Sequence, residues 1–165
     1  MNAGLKARRF QRGALAVEFA ILSIPLLVML TGITEYGRAL YYYNSLAKAV
    51  RDGARLLSTQ TPTDPGYAAL VAGVTCTVVY GNDACTGDPL IPGLTTAMVS
   101  ICDPVACPAT HAAVPTGTGV ANLVTVQVGG QAGYTFGSMA PFMPALFGVP
   151  SMTFAPIGAT MRQVL

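Results

Sequence analysis

Two groups of side chains in this sequence are equipped for chemistry: Glu18, alone in an apolar stretch, and four cysteines accompanied by the single histidine. A carboxylate close to a hydrocarbon region costs roughly 2.5 kcal/mol or more, so Glu18 calls for a purpose. If the chain is cut between Gly13 and Ala14, Glu18 becomes the fifth residue. At about 1.5 Å rise per residue it then lies one helical turn from the new α-amino group. Two roles fit. The carboxylate can neutralise that amine, within one subunit or between staggered copies, so that burial of the ion pair sets an axial register. Alternatively it snorkels to headgroup level at the end of an ordinary membrane anchor.

Cys76, Cys85, Cys102 and Cys107 all lie beyond the apolar stretch, on the side where an exported domain would keep disulfides. Of the three possible pairings, Cys76 with Cys85 and Cys102 with Cys107 is preferred, because each pair brackets a turn-prone stretch, Gly81-Asn82 or Asp103-Pro104. A metal reading would enlist Cys102, Cys107 and His111, but those spacings match no common zinc pattern. Staples for a small sheet are the simpler role, and no metal or cofactor is expected. Catalysis finds little support. His111 sits in a Pro, Ala and Thr-rich loop without an identifiable partner, and there is no phosphate loop, nucleophile elbow or pair of carboxylates. Asp83, Asp88 and Asp103 stand in turn-prone positions, where aspartate serves backbone donors. The expectation is a protein that is not an enzyme and has no small-molecule substrate.

The residues around Glu18 resemble a known family. Gly13 followed by Ala14, Glu18 and Phe19 looks like the processing site of type IV pilin-like proteins, which a prepilin peptidase cuts. Pro25 inside the apolar run, then Gly32-Ile33-Thr34-Glu35-Tyr36-Gly37-Arg38 and Ala49-Val50-Arg51-Asp52-Gly53-Ala54-Arg55, is similar to the TadE-like proteins of the tight-adherence (Tad, or Flp) pilus system. These motifs cover about the first third of the chain. Val78-Val79-Tyr80-Gly81-Asn82, Pro92-Gly93-Leu94-Thr95 and the end at Met161-Arg162 match more loosely. The resemblance implies a minor pilin or pseudopilin, with other pilin-like subunits, the Tad assembly machinery and a prepilin peptidase as partners.

Charge and hydropathy agree with an anchored, exported chain. Lys6, Arg8, Arg9 and Arg12 precede the proposed cut with no acid among them, whereas from Ala14 onward five cations face seven carboxylates. The positive-inside rule keeps the leader cytoplasmic and exports the C-terminal part of a single-pass protein; the resemblance implies that the membrane is the bacterial inner membrane and that the C-terminal domain is periplasmic or extracellular. The cations that might meet phosphates lie largely in a segment expected to be removed, so nucleic acid is not an expected partner. Residues 14–34 make a helix of about 30 Å, long enough for a bilayer core. Pro25 removes a backbone donor and is expected to kink it.

The helix should continue past the membrane. Ile33, Tyr36, Leu40, Tyr43, Ala47, Val50, Ala54 and Leu57 recur every three or four residues, opposite Glu35, Arg38, Ser45, Lys48, Asp52 and Arg55. That stripe fits packing on a sheet, with a coiled coil as the rival. Lys48 and Asp52 are spaced for an i to i+4 pair. Tyr41, Tyr42 and Tyr43 suit an interfacial aromatic belt or core packing. Ser58 to Gly66, with Pro62 and Pro65, ends the helix.

Beyond Leu57 the charged residues are Asp64, Asp83, Asp88, Asp103 and Arg162, and eleven of the twelve prolines lie here. So weakly charged a surface suits coverage by other subunits. Tyr67 to Val74 reads as a second helix, with Val74 to Tyr80 fitting either its extension or a strand. Gly81-Asn82-Asp83 is a turn. Ala97 to Cys102 and Leu123 to Val128 read as strands, the latter alternating Val124, Val126 and Val128 with Thr125 and Gln127. Gly129-Gly130 reads as a bulge or turn after which Tyr134-Thr135-Phe136 continues the pairing. Pro141 to Phe147 reads as a short helix, and Met152 to Met161 as a final strand broken by Pro156, hence an edge or a bulged one. The expected architecture is α+β: a cleaved leader at 1–13, a transmembrane helix at 14–34, its amphipathic continuation at 35–58, and an exported head at 59–165 built on a small antiparallel sheet. A membrane-anchored binding or adhesive module that never polymerises is the alternative to a pilus subunit.

Overall fold

The computed structural model describes residues 3–117, 119–130, 132–139 and 151–163, with the backbone alone for 3–12. Helix α1 runs Ala3–Ser58 and passes through Pro25. The chain divides into two compact units, Met1–Arg38 with Ser138–Pro150, and Ala39–Gly137 with Ser151–Leu165. The first two residues of the expected leader and the short helix expected at Pro141 to Phe147 lie outside the described residues.

In the second unit the long helix packs on a sheet, as the apolar stripe required. Helix α2 spans Tyr67–Tyr80, so the β-branched run from Val74 extends the helix. It ends at Gly81, whose left-handed φ of 76° lets its amide reach Thr77 O. Strands β1 (Val99–Cys102), β2 (Val114–Thr116), β3 (Gly119–Val128) and β6 (Ile157–Gln163) form one antiparallel sheet, with β3 pairing all three others. The register opposes Val126 to Ile101 on β1 and to Ala159 on β6. Val124, Val126 and Val128 are fully buried, while Thr125 and Gln127 face outward, because a strand's side chains alternate between faces. Ala39, Leu46, Val50, Ala54 and Leu57 of α1 join Val74, Val78 and Val79 of α2 in the core above these valines.

Three expectations need correction. The segment from Ala97 opens with a 3-10 turn at Thr96–Met98, closed by Met98 N donating to Thr95 O, so β1 starts only at Val99. Strand β4 (Tyr134–Gly137) does not continue the pairing with β3; it pairs with β5 (Ser151–Phe154) in a separate two-stranded sheet. Gly129, Gly130 and Gly133 all take positive φ and turn the chain away from β3, and at Gly133 any Cβ would run into the Phe154 carbonyl. The last apolar segment is therefore two strands on two sheets, separated at Ala155-Pro156, and of the two alternatives, edge or bulged, β6 takes the edge, pairing with β3 alone.

The third correction concerns the outer half of the α1 stripe. Ile33, Tyr36, Leu40 and Tyr43 are exposed, and the buried positions are Glu35, Ala39 and Leu46, with Tyr42 half-buried. The two stripes differ by one residue, about 100° of helix, and periodicity alone does not separate them. What separates them is the core itself: Ala39 and Leu46 join the buried cluster and Tyr42 packs against it, its ring meeting Phe136 edge-on at 5.8 Å. Tyr43 keeps a contact with Phe154 at 5.6 Å, while Tyr41 stays exposed.

Candidate assembly segment

The residues from Gly13 to Thr34 are exposed or nearly so on every side of the helix, with Leu15 at 64 % and Phe19 at 74 % of full exposure. No globular fold in water leaves such a length of apolar helix uncovered, so a bilayer or other apolar helices must cover it. It is long and apolar enough to cross a membrane, which fits a single-pass membrane protein. The polar side chains inside the run follow the same logic. Ser23 Oγ donates to Ala20 O at 3.0 Å, Thr31 Oγ1 to Leu27 O at 2.8 Å and Thr34 Oγ1 to Thr31 O at 2.8 Å, so each hydroxyl is satisfied by its own helix. Glu18 has an exposed position among Leu15, Val17, Phe19 and Leu22, one turn beyond Ala14, and Pro25 is exposed in the middle of the run.

At the end of the run the polar residues change character. Glu35 is only 8 % exposed, and its Oε2 accepts from Arg38 Nη2 at 2.7 Å. Its Oε1 accepts the backbone amide of Met139 at 3.3 Å. Sequence reasoning put Glu35 on the outer face, opposite the apolar stripe expected from the periodicity. A carboxylate supplied with an arginine and an amide can be buried, and here both are supplied. Gly32 and Gly37 have open space where a Cβ would go, so no close packing requires them.

Further along α1, Arg51 and Arg55 are exposed, whereas Gly53 and Ala54 are buried. A Cβ on Gly53 would stand 2.9 Å from Val74 Cγ1, 3.4 Å from Val78 Cγ2 and 3.7 Å from Val126 Cγ1. Gly53 therefore sits where α1 packs closely against α2 and β3. The exposed apolar run from Gly13 and the glycine-mediated seat on a small sheet thus belong to one continuous helix. Residues 13–55 match the family of TadE-like proteins. No curated protein and no solved structure matches the chain. The TadE-like segment covers both halves of this design, the exposed run and the seated helix, and it stops before the second helix and the sheet. The expected motif residues fall in it: Gly13, Ala14, Glu18 and Pro25 on the exposed run, Gly32 to Arg38 at its end, and Arg51 to Arg55 at the seat.

Beyond the TadE-like segment the cysteines pair as Cys76–Cys85 and Cys102–Cys107. The first ties the last turns of α2 to the loop that follows it, and the second joins the end of β1 to the residue before helix α3 (Pro108–His111). Cys102, Cys107 and His111 place possible ligand atoms within 4.8 Å of one another, but the two sulfurs are bonded to each other and are not thiolates. His111 instead joins a hydroxyl network: Nε2 lies 2.9 Å from Thr125 Oγ1, which lies 2.8 Å from Thr160 Oγ1. Its Nδ1 lies 2.7 Å from Thr110 Oγ1.

One polar cluster escaped the sequence reading. Gln163 Nε2 lies 2.9 Å from the Tyr67 hydroxyl and 3.2 Å from both Leu57 O and Gln60 O, where α1 ends. Buried Asp103 accepts the amides of Val105 and Ala106 through Oδ1 at 2.9 and 2.7 Å. Burial pushes the Tyr67 phenol up to about 12, helped by the Asp103 charge and by the hydrogen bond to that carboxylate, and opposed by the Gln163 amide. The cluster ties the ends of α1 and β6 to the start of α2. The Gln163 hydrogen bonds that close it span 96 to 106 positions, so no local pattern announces it.

Proposed function

We propose that this protein is a minor pilin-like or pseudopilin-like subunit of a Tad-type pilus, processed by a prepilin peptidase between Gly13 and Ala14. The observation that carries the reading is the TadE-like match, which opens at Gly13 and covers an apolar helix exposed on all sides with Glu18 one turn beyond Ala14. In this reading the leader stays cytoplasmic and the helix holds the subunit in the inner membrane. It then leaves the bilayer to pack against the helices of other pilin-like subunits. The role is mechanical rather than catalytic. Glu18 sets the axial register by meeting the α-amino group of Ala14 in its own or a neighbouring subunit, since an uncompensated carboxylate among apolar helices is costly. The weakly charged head presents hydroxyl-rich faces to other subunits or to an attachment surface.

Replacing Glu18 by Ala tests this. The expected outcome is loss of surface pili and of co-purifying pilus subunits, with the variant still present in the membrane. Unchanged piliation together with lost surface attachment would instead identify an anchored module that does not polymerise.

A further inference from the structure

The hydrogen bond from the Met139 amide to Glu35 Oε1 joins residues far apart in sequence at a defined depth. Glu35 is the first residue after the apolar run, and at about 1.5 Å per residue it stands within one helical turn of the run's end at Ile33. If residues 14–34 cross the bilayer, Glu35 lies at headgroup level and the backbone it holds lies there too. The held residue is apolar and uncovered, since the Met139 side chain is 76 % exposed. Tyr36, the residue after Glu35 on α1, is exposed as well. Ser138 and Met139 fall in the same compact unit as the apolar helix. From Gly137 to Ser151 the sequence carries no charged side chain, so nothing adjacent along the chain opposes contact with the acyl boundary.

We propose that Met139 forms a second contact with the bilayer, a lipid-facing patch at the headgroup–acyl boundary held in place by Glu35. The patch rests on the reading that residues 14–34 cross the membrane. Its occupant is the surface of that same membrane, because Glu35 fixes Met139 to the end of the spanning run. A long side chain such as Met is suited to such a boundary, since it buries apolar surface without leaving a polar group unpaired. The carboxylate acts as a positioning group: it satisfies one amide of the incoming chain and is itself neutralised by Arg38.

The sequence contains no tryptophan, which makes a direct test simple. Met139→Trp in the full chain, reconstituted in phosphatidylcholine vesicles, places one indole at the patch. The expected result is blue-shifted emission, quenching by lipids brominated near the headgroup end of their acyl chains, and shielding from acrylamide. Leu22→Trp, in the middle of the run, reports the span independently through quenching by deeply brominated lipid. A quenched Leu22→Trp beside a water-exposed, unquenched Met139→Trp overturns the patch and leaves the span standing. A blue-shifted Met139→Trp that bromolipid does not quench means that protein covers the site, which also overturns it. An unquenched Leu22→Trp removes both. Adding Glu35→Ala to Met139→Trp is expected to weaken the shallow quenching, and unchanged quenching would overturn the holding role of Glu35.

Discussion

Gly53 and Val74 meet with no room for another carbon: a Cβ on Gly53 would stand 2.9 Å from Val74 Cγ1. Inserting bulk at such a contact costs about 1 to 3 kcal/mol, against which the better helix propensity of Ala returns about 1 kcal/mol. Gly53→Val adds bulk without that full return and is expected to lower stability by about 2 kcal/mol or more. At Gly37 the same helix has open space, so Gly37→Ala is expected to stabilise by about 0.5 to 1 kcal/mol. Denaturant unfolding of the detergent-solubilised chain measures both. Equal effects at the two glycines would sink the claim that Gly53 is a seat.

The Tyr67 phenol, pushed up to about 12 from 10.0, couples the head's stability to alkaline pH. Below pH 10 the phenol is neutral in the folded and unfolded chains alike, and the stabilisation is fully present. Between about pH 10 and about pH 12 the unfolded chain releases a proton that the folded chain keeps, so stability falls as pH rises through that window. The urea midpoint should therefore drop across this range in the parent protein and drop less in Tyr67→Phe. Parallel pH profiles would show that Tyr67 is not the coupled group.

The two disulfides close loops of sequence separation 9 and 5. Loop-closure entropy gives each about 2 to 3 kcal/mol, slightly more for the longer loop. The double substitutions Cys76→Ala with Cys85→Ala, and Cys102→Ala with Cys107→Ala, are each expected to lower the unfolding midpoint, the first by more. Non-reducing peptide mapping that found any other pairing would contradict the structure directly.

Processing predicts a defined chain start. Intact mass and terminal sequencing of protein purified from its native host are expected to find Ala14 at the amino terminus. Met1 retained would leave Glu18 without a neighbouring amine and remove its role in register, and a start beyond Thr34 would mean a cleaved signal and a soluble domain.

These features were not equally legible in the sequence. The apolar run at 14–34, the seated helix, the Val124-Val126-Val128 face and the bracketed cysteine pairs all rest on local patterns. Hydropathy over one span, a 3.6 or 2-residue period, and a turn between two cysteines each leave a mark within a few residues. Local patterning could not show which side of α1 is buried near Tyr42, since stripes one residue apart satisfy the same period.

Tertiary structure decided that question, and with it the burial of Glu35, because a buried carboxylate needs donors that arrive from Arg38 and from Met139, over a hundred positions away. It also decided that β4 leaves β3 for β5, through three glycines whose positive φ no single dipeptide announces. The Tyr67, Asp103 and Gln163 cluster follows the same rule. Periodicity records what each residue does with its neighbours in the chain, and hydrogen bonds between distant segments exist only once the fold has brought them together.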